Sequence, residues 1–525
     1  MKKTALVIFK KTFSEKERNF FKNTAHYEVV IAPAELKDEI TLLGYTYLAL
    51  EEYVEAGSIY TANTLVQELS TLTFHDGTRV SKSFIYKGYE LWWMNYDTLY
   101  FLYCLPYSQY KRLLEHLVIY DDIHLYNPPY PRLFESFMTA YRKNFKIIKE
   151  RKIKSPSFLP VGVFCQIMLT FLFLPVLIIQ RRPIMVYISD EFHGSKDYHF
   201  RMGFIYEALR AKNLSFVEYI RSIESWSTVI THAFRRKRPV VYTDAILFIA
   251  RFISYATGGR LRAKRLFKNY STVGGYDSEK QFKLSLATQY LLCVYDDVWA
   301  IRIMKVYLRV TGVKSALIVA AMGRNFQTVL ACKLNKIPII GILHGVASQH
   351  YNVYDFMPTY DGDKVLSVDK YGVWSEWWKE YYTAHSRVYQ KEQLYVSGPM
   401  RPLMQNEAVA YSKKLPSGPI NVLLVSEQLA VPEEVLPYLK ALIEDKGISL
   451  SIVFRPKWGD YFDLKEYDTE HTFIAENPEG LIQRVKQSTD VSEETLRDLQ
   501  NRFFGNPYQN GSAWAIEEIE KTLIK

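Results

Sequence analysis

Short, nearly continuous apolar runs recur along the chain, each followed by polar punctuation and then by a helical pattern. The runs ALVIF (Ala5–Phe9) and YEVVIA (Tyr27–Ala32) predict strands, with a helix over Glu35–Ala56. Further helices are expected at Tyr89–Leu105 and Ser108–Val118, and DDIHLYNPPYPRLFESFMTAYRK reads as strand, Pro-rich turn and helix. The pattern resets at Pro183. PIMVYIS is apolar on both faces, as a buried parallel strand is, and a loop, an amphipathic helix and a second strand follow it to Ser222. RRKRPVVYTDAI sets a basic turn before another strand. Gly258–Tyr276, rich in Arg, Lys and Gly, predicts a loop, and a long helix is expected from Lys280 to Thr311.

The most legible stretch comes next. KSALIVAAM is a strand, GRNFQTVLACKLNKI a loop and helix, and PIIGILHG (Pro338–Gly345) the following strand. This is a βαβ unit of about 30 residues, and such a crossover requires a parallel sheet. VLSVDKYGVWSEWWKEYY gives strand, turn and aromatic helix; QLYVSGPMRPL gives strand and turn. INVLLVSEQ opens a fresh unit, followed by a helix over Pro432–Lys446 and the strand ISLSIVFRP. Alternation of this kind defines an α/β chain. A boundary falls near Tyr411–Gly418, where Ser, Lys, Pro and Gly cluster. The expected units are an accessory α/β module (1–148), a basic-flanked hydrophobic segment (149–182), a Rossmann-like acceptor-side domain (183–411) and a shortened Rossmann-like donor-side domain (419–525).

At 525 residues the chain exceeds one ordinary core, and 48% hydrophobic with 23% charged residues is a folded composition. The 66 Lys and Arg outnumber 56 Asp and Glu, a surplus of +10 that favours an anionic partner. The basic runs Arg235–Arg238 and Arg260–Lys268 are short and separated, so they read as solvated turns or lipid contacts and not as a nucleic-acid surface. Cys104, Cys165, Cys293 and Cys332 lie far apart in apolar surroundings, which predicts neither a disulfide framework nor a metal site and suits a reducing compartment. The N-terminal apolar stretch is cut short by Lys10 and Lys11, which fits a first strand better than a signal peptide. Leu159–Ile179 holds 21 uncharged residues with Lys149, Arg151, Lys152 and Lys154 before it and Arg181 and Arg182 after it. It is long enough to cross a bilayer, but basic residues on both flanks give no orientation. An in-plane anchor or a buried interdomain helix is expected in preference to a span.

Candidate chemistry sits where strands end. His344-Gly345, Ser397-Gly398-Pro399-Met400-Arg401 and Arg455-Pro456-Lys457 all follow strands. Glycine lets a backbone approach a phosphate closely, imidazole donates to a phosphate oxygen or moves a proton, and Arg455 with Lys457 would neutralise a diphosphate. Taken singly, each is more simply a turn; their order and spacing strengthen the functional reading. Asp361-Gly362-Asp363 is the nearest approach to a metal-binding DxD loop and reads as a turn, so no metal is expected.

The succession PIIGILHG, GVW plus helix, VSGPMRP, then LLVSEQ and FRPK resembles the bacterial surface-carbohydrate glycosyltransferases of GT-B type. These are the relatives of capsule, polysialic-acid, Kdo and CDP-glycerol polymer transferases. The resemblance spans most of the chain through short motifs. It implies two Rossmann-like domains facing a cleft, with His344 on the cleft edge as an acid/base or phosphate-binding group. Gly345, Gly398, Arg401, Ser426, Glu427, Arg455 and Lys457 would bind the donor. Asp190, just after PIMVYIS, is the candidate base, with Glu191 and His193 read as helix-capping residues. The implied partners are a nucleotide-activated sugar and a glycan or lipid-linked acceptor, at the cytoplasmic membrane face and without a cofactor. The FRPK form departs from the family's usual RPHP, and the region from Pro419 to Lys525 is short for a nucleotide-binding half. A non-catalytic scaffold of the same pathway is therefore the second reading, and a sugar-nucleotide epimerase the third.

Overall fold

The structure is a computed structural model that describes residues 3–23, 27–55, 59–94, 96–148, 159–188, 202–220, 229–231, 239–271, 277–318, 325–345, 356–402, 420–426, 432–445, 448–454, 478–487 and 493–524. The chain is α/β, built on two Rossmann-like parallel sheets.

The first sheet lies wholly within residues 1–148. Strand β1 (Thr4–Ile8) leads to helix α1 (Glu15–Asn23), then β2 (Val29–Ala32), α2 (Lys37–Leu42) and β3 (Thr46–Ala49). The helix expected over Glu35–Ala56 is thus a short helix and a strand. Gly44, at φ 81°, ends α2 in the left-handed conformation that glycine adopts freely, and TYLA then pairs with β2. After α3 (Ile59–Thr71) comes a hairpin of β4 (Ile85–Tyr86) and β5 (Tyr89–Glu90). The two helices expected between Tyr89 and Val118 run nearly end to end from Leu91, through a wide π turn at Tyr100–Cys104, into α4 (Leu105–Leu117). Then β6 (Asp122–Tyr126), α5 (Pro131–Ala140) and β7 (Asn144–Ile148) complete the parallel order β3-β2-β1-β6-β7.

Helix α6 (Leu159–Gln180) connects to the second sheet. There follow β8 (Ile184–Ile188), α7 (Gly203–Ala211), β9 (Phe216–Ile220), β10 (Val240–Tyr242) and α8 (Thr243–Ala256). The loop expected over Gly258–Tyr276 contains a helix, α9 (Gly259–Ser271). The glycines of that stretch lie at its two ends, and the core RLRAKRLFK is made mostly of strong helix formers, with Ala263 and Phe267 fully buried. The long helix expected over Lys280–Thr311 is two, α10 (Ser278–Leu291) and α11 (Val294–Thr311), parted at Leu292-Cys293. Then come β11 (Ser315–Ile318), α12 (Phe326–Leu334), β12 (Ile339–Ile342), β13 (Lys370–Val373), α13 (Glu376–His385) and β14 (Leu394–Val396). The seven strands run parallel in the order β10-β9-β8-β11-β12-β13-β14.

One apolar core joins the two sheets. Tyr290 donates its hydroxyl to the Trp92 carbonyl at 2.7 Å and meets the Trp92 ring edge to face, and Phe282 packs on Phe137 and Tyr107. Asp361, of the Asp-Gly-Asp turn, forms ion pairs with Arg79 at 2.8 Å and Lys82 at 3.2 Å, so it ties 356–364 to the first unit.

Beyond Tyr411–Gly418, β15 (Ile420–Ser426) pairs parallel with β16 (Ile448–Phe454) along seven residues, beside α14 (Pro432–Glu444) and α15 (Pro478–Gln487). The chain then returns. Helix α16 (Glu493–Phe504) packs on α13, and α17 (Gly511–Ile524) packs on α7, β11 and β12 of the seven-stranded sheet. Ala515, Ile516 and Ile519 are fully buried in one cluster with Leu317, Ile340 and Ile342. Buried Glu518 accepts hydrogen bonds from Lys370 and Lys521, and Thr522 reaches Ser315 at 2.9 Å.

Candidate functional site

Because the seven strands are parallel, their C-terminal ends share one edge. Chain direction across the sheet reverses between β8 and β11: β9 and β10 lie on one side, β12 to β14 on the other. Open α/β sheets leave a ligand-sized crevice at such a switch point. Asp190 falls two residues past the end of β8, the correct place by sequence, but it lies outside the described residues. Helix α12, which follows β11, opens its N-terminus, the positive end of its dipole, toward the same edge.

His344 and Gly345 stand two and three residues beyond β12. His344 is exposed, whereas the residue before it is clamped. The Leu343 N–H donates to the Gly372 carbonyl and the Trp374 indole donates to the Leu343 carbonyl, both at 2.8 Å. A Cβ at Gly345 would meet no described atom within 4 Å.

Gly398 lies on the same edge, two residues past β14, at φ 77°. Its requirement for glycine comes from packing, because a Cβ would sit 2.7 Å from the Gln509 Cβ. The Gly511 N–H donates to Pro399 at 2.9 Å and the Ser512 hydroxyl to the Met400 carbonyl at 2.6 Å, so the Gly398–Arg401 turn rests on the start of α17. Arg401 ends this turn with its side chain exposed. Ser426 is the last residue of β15, in the separate two-stranded sheet. Glu427, Arg455 and Lys457 lie outside the described residues, as do Glu191 and His193. Of the residues singled out in the sequence, the structure therefore gathers His344, Gly345, Gly398 and Arg401 along one sheet edge.

Trp374 and the segment that covers it escaped the sequence reading. Phe504 stacks on Trp374 with centroids 5.5 Å apart, and Ser375 donates its hydroxyl to the Arg502 carbonyl at 2.7 Å. Gly505 (φ 67°) brings its backbone against the Trp374 carbonyl, where a Cβ would approach to 2.4 Å. The glycine after a helical run was a readable stop signal in FFGNP; what it stops against was not.

The first sheet has its own switch point, between β1 and β6, and the protein fills it. Ser14 caps α1 and its N–H donates to Glu17 at 2.6 Å, one half of a capping box. Lys10 reaches the same carboxylate at 2.9 Å, and the Tyr126 hydroxyl donates to it. Burial raises the Glu17 pKa, but the hydrogen bonds from Tyr126, Lys10 and Ser14 outweigh it and bring it down to about 2. The Glu17 carboxylate thus ties together the ends of β1 and β6 and the start of α1. The depressed value also fixes a pH dependence. The Glu17 contribution is complete above its ordinary 4.5 and drains away as pH falls toward 2. Glu17→Gln should lower stability at neutral pH by roughly 2 kcal/mol. Urea unfolding followed from pH 7 to pH 2 should show a flatter acid decline for the variant; parallel curves would remove Glu17 from the acid response.

No family model matches the chain, and no curated protein matches it. Solved structures give distant matches. A glycotransferase of kitacinnamycin aligns over 65% of this chain and 98% of its own at 11% identity, TM-score 0.35. S. aureus MnaA, solved with UDP, aligns over 65% and 95% at 12% identity, TM-score 0.32. A UDP-N-acetylglucosamine 2-epimerase aligns over 64% and 94% at 10% identity, TM-score 0.32. A likeness this distant carries neither a reaction nor a residue role to this chain.

Proposed function

We propose that the chain is a glycosyltransferase of GT-B type that moves a sugar, or a polyol phosphate, from a nucleotide-activated donor to a surface polysaccharide or lipid-linked acceptor at the cytoplasmic membrane face. The observation that supports it most is His344-Gly345 on the C-terminal edge of a seven-stranded parallel sheet, beside the switch point. In this reading His344 exchanges a proton with a reacting oxygen or donates to a donor phosphate, and Asp190 takes the proton from the acceptor hydroxyl. The α12 N-terminus, Arg401, Arg455 and Lys457 neutralise the departing nucleotide phosphate, work that a metal ion does in other transferases. Gly345 keeps the backbone close to the donor, Gly398 holds the turn that carries Arg401 against the start of α17, and Ser426 and Glu427 contribute from the end of β15.

Thermal unfolding with CMP-, CDP-, UDP- and GDP-sugars tests the donor site directly. One nucleotide class at about 100 times its Kd should stabilise the protein by roughly 2.7 kcal/mol. A shift with none of them would overturn the reading. That result would favour a non-catalytic scaffold, the reading that the short region from Pro419 to Lys525 also suggests. Conversion of the sugar to its epimer with no acceptor present would assign the chain to the epimerases instead.

A further inference from the structure

Helix α6 is mixed on its inner side and apolar on its outer side. Its protein-facing side buries Gln166 and Thr170 together with Leu169 and Leu177. The Tyr242 N–H donates to the Thr170 hydroxyl at 3.1 Å, and the Tyr307 hydroxyl donates to the Thr170 carbonyl at 3.2 Å. Its outer side carries Phe164, Met168, Phe171, Leu172, Val176 and Ile179, with Phe164 60%, Leu172 63% and Ile179 82% exposed. A surface helix in water turns polar residues outward, and a contiguous apolar stripe of this length marks an interaction surface.

The neighbouring helices extend the stripe. Helix α8 packs along α6 and exposes Phe248, Phe252 and Tyr255 at helical spacing; α9 exposes Leu261 and Leu266. The charge around this apolar face has one dominant sign. Helices α6 and α9 contain no Asp or Glu, and Arg181 and Arg182 follow α6. Arg251 lies on the outer side of α8, and α9 exposes Arg260, Arg262, Lys264 and Arg265.

We propose that α6, α8 and α9 together form an in-plane docking face for a bilayer rich in anionic lipid. Contacts with β10, α8 and α11 hold α6 to the protein, so it lies flat on the membrane and does not cross it. Its aromatic and aliphatic side chains enter the acyl boundary while the arginines and lysines stay among the headgroups. This docking stands apart from the transfer reaction, and its test needs no donor.

The full chain is mixed with vesicles of phosphatidylcholine alone or with added phosphatidylglycerol, and bound protein is sedimented. Binding should be strong with the anionic vesicles and weak with the neutral ones. Phe164→Glu with Phe171→Glu should weaken it at least roughly tenfold, with the thermal midpoint unchanged because both side chains are exposed. Arg260→Glu with Lys264→Glu, which leaves the apolar stripe intact, should also weaken binding to anionic vesicles. Wild-type protein left in the supernatant with both vesicle types would overturn the proposal. So would undiminished binding by both double variants. A dimer dispersed by the Phe164→Glu/Phe171→Glu pair, with no vesicle binding, would assign the face to a second copy of the chain.

Discussion

A chain ending at Asn510 should fail to form a stable seven-stranded sheet, although every strand of that sheet would still be present. Helix α17 supplies the apolar cover for β11 and β12. Removing it exposes Leu317, Ile340 and Ile342 and deletes the fully buried Ala515, Ile516 and Ile519. At roughly 1.5–3 kcal/mol for each large apolar side chain, the loss is on the order of 6 kcal/mol, similar to the entire stability of many domains. It also leaves Lys370 without Glu518. Residues 1–510 should be recovered as aggregate, or as a soluble species with a broad, early unfolding transition by far-UV circular dichroism. Wild-type melting by the truncated chain would refute this account of α17. Ile516→Ala is the milder version, with an expected cost of roughly 2–5 kcal/mol.

His344→Ala should reduce turnover roughly 100-fold to 10,000-fold, the range associated with loss of a general acid or base, and leave the fold intact. The side chain is exposed, and the backbone around it is fixed by neighbours that the substitution does not touch. The measurement is sugar transfer from the donor class that stabilises the wild type. Near wild-type turnover would remove His344 from the chemistry. Trp374→Phe separates position from chemistry: it keeps a ring for Phe504 to stack on and deletes the indole hydrogen bond to Leu343. It should lower kcat by a smaller factor and leave the pH profile in place, whereas loss of an acid or base changes the profile itself.

The parts of the fold that were legible were those written locally. Residues 314–345 announce strand, helix and strand because each apolar run is bounded by Gly, Asn, Lys or Pro, and the structure has β11, α12 and β12 there. Glu35–Ala56 misled because its apolar spacing suits a helix and Gly44 alone divides it. At Gly258–Tyr276 the glycines gave a loop reading, yet the residues between them are helix formers. Partnership was not legible. The pattern of GSAWAIEEIEKTLI shows that one face is apolar but not that its partners are β11 and β12. The site divides in the same way. The placement of His344 just past a strand could be read, whereas the contact of Trp374 with Leu343 depends on how β12 registers against β13.

The return of α17 also has a kinetic side. Strands β11 and β12 are synthesised long before the helix that shields them, with the whole β15–β16 region between. Their pairing is local and fast to form, but the covering contact is among the most distant in the chain. Until it forms, the face of a parallel sheet rich in isoleucine and leucine is open to solvent, the condition under which partly folded chains associate. Slow or interrupted synthesis across the β15–β16 region should therefore reduce soluble yield even when every residue of the seven-stranded sheet is correct.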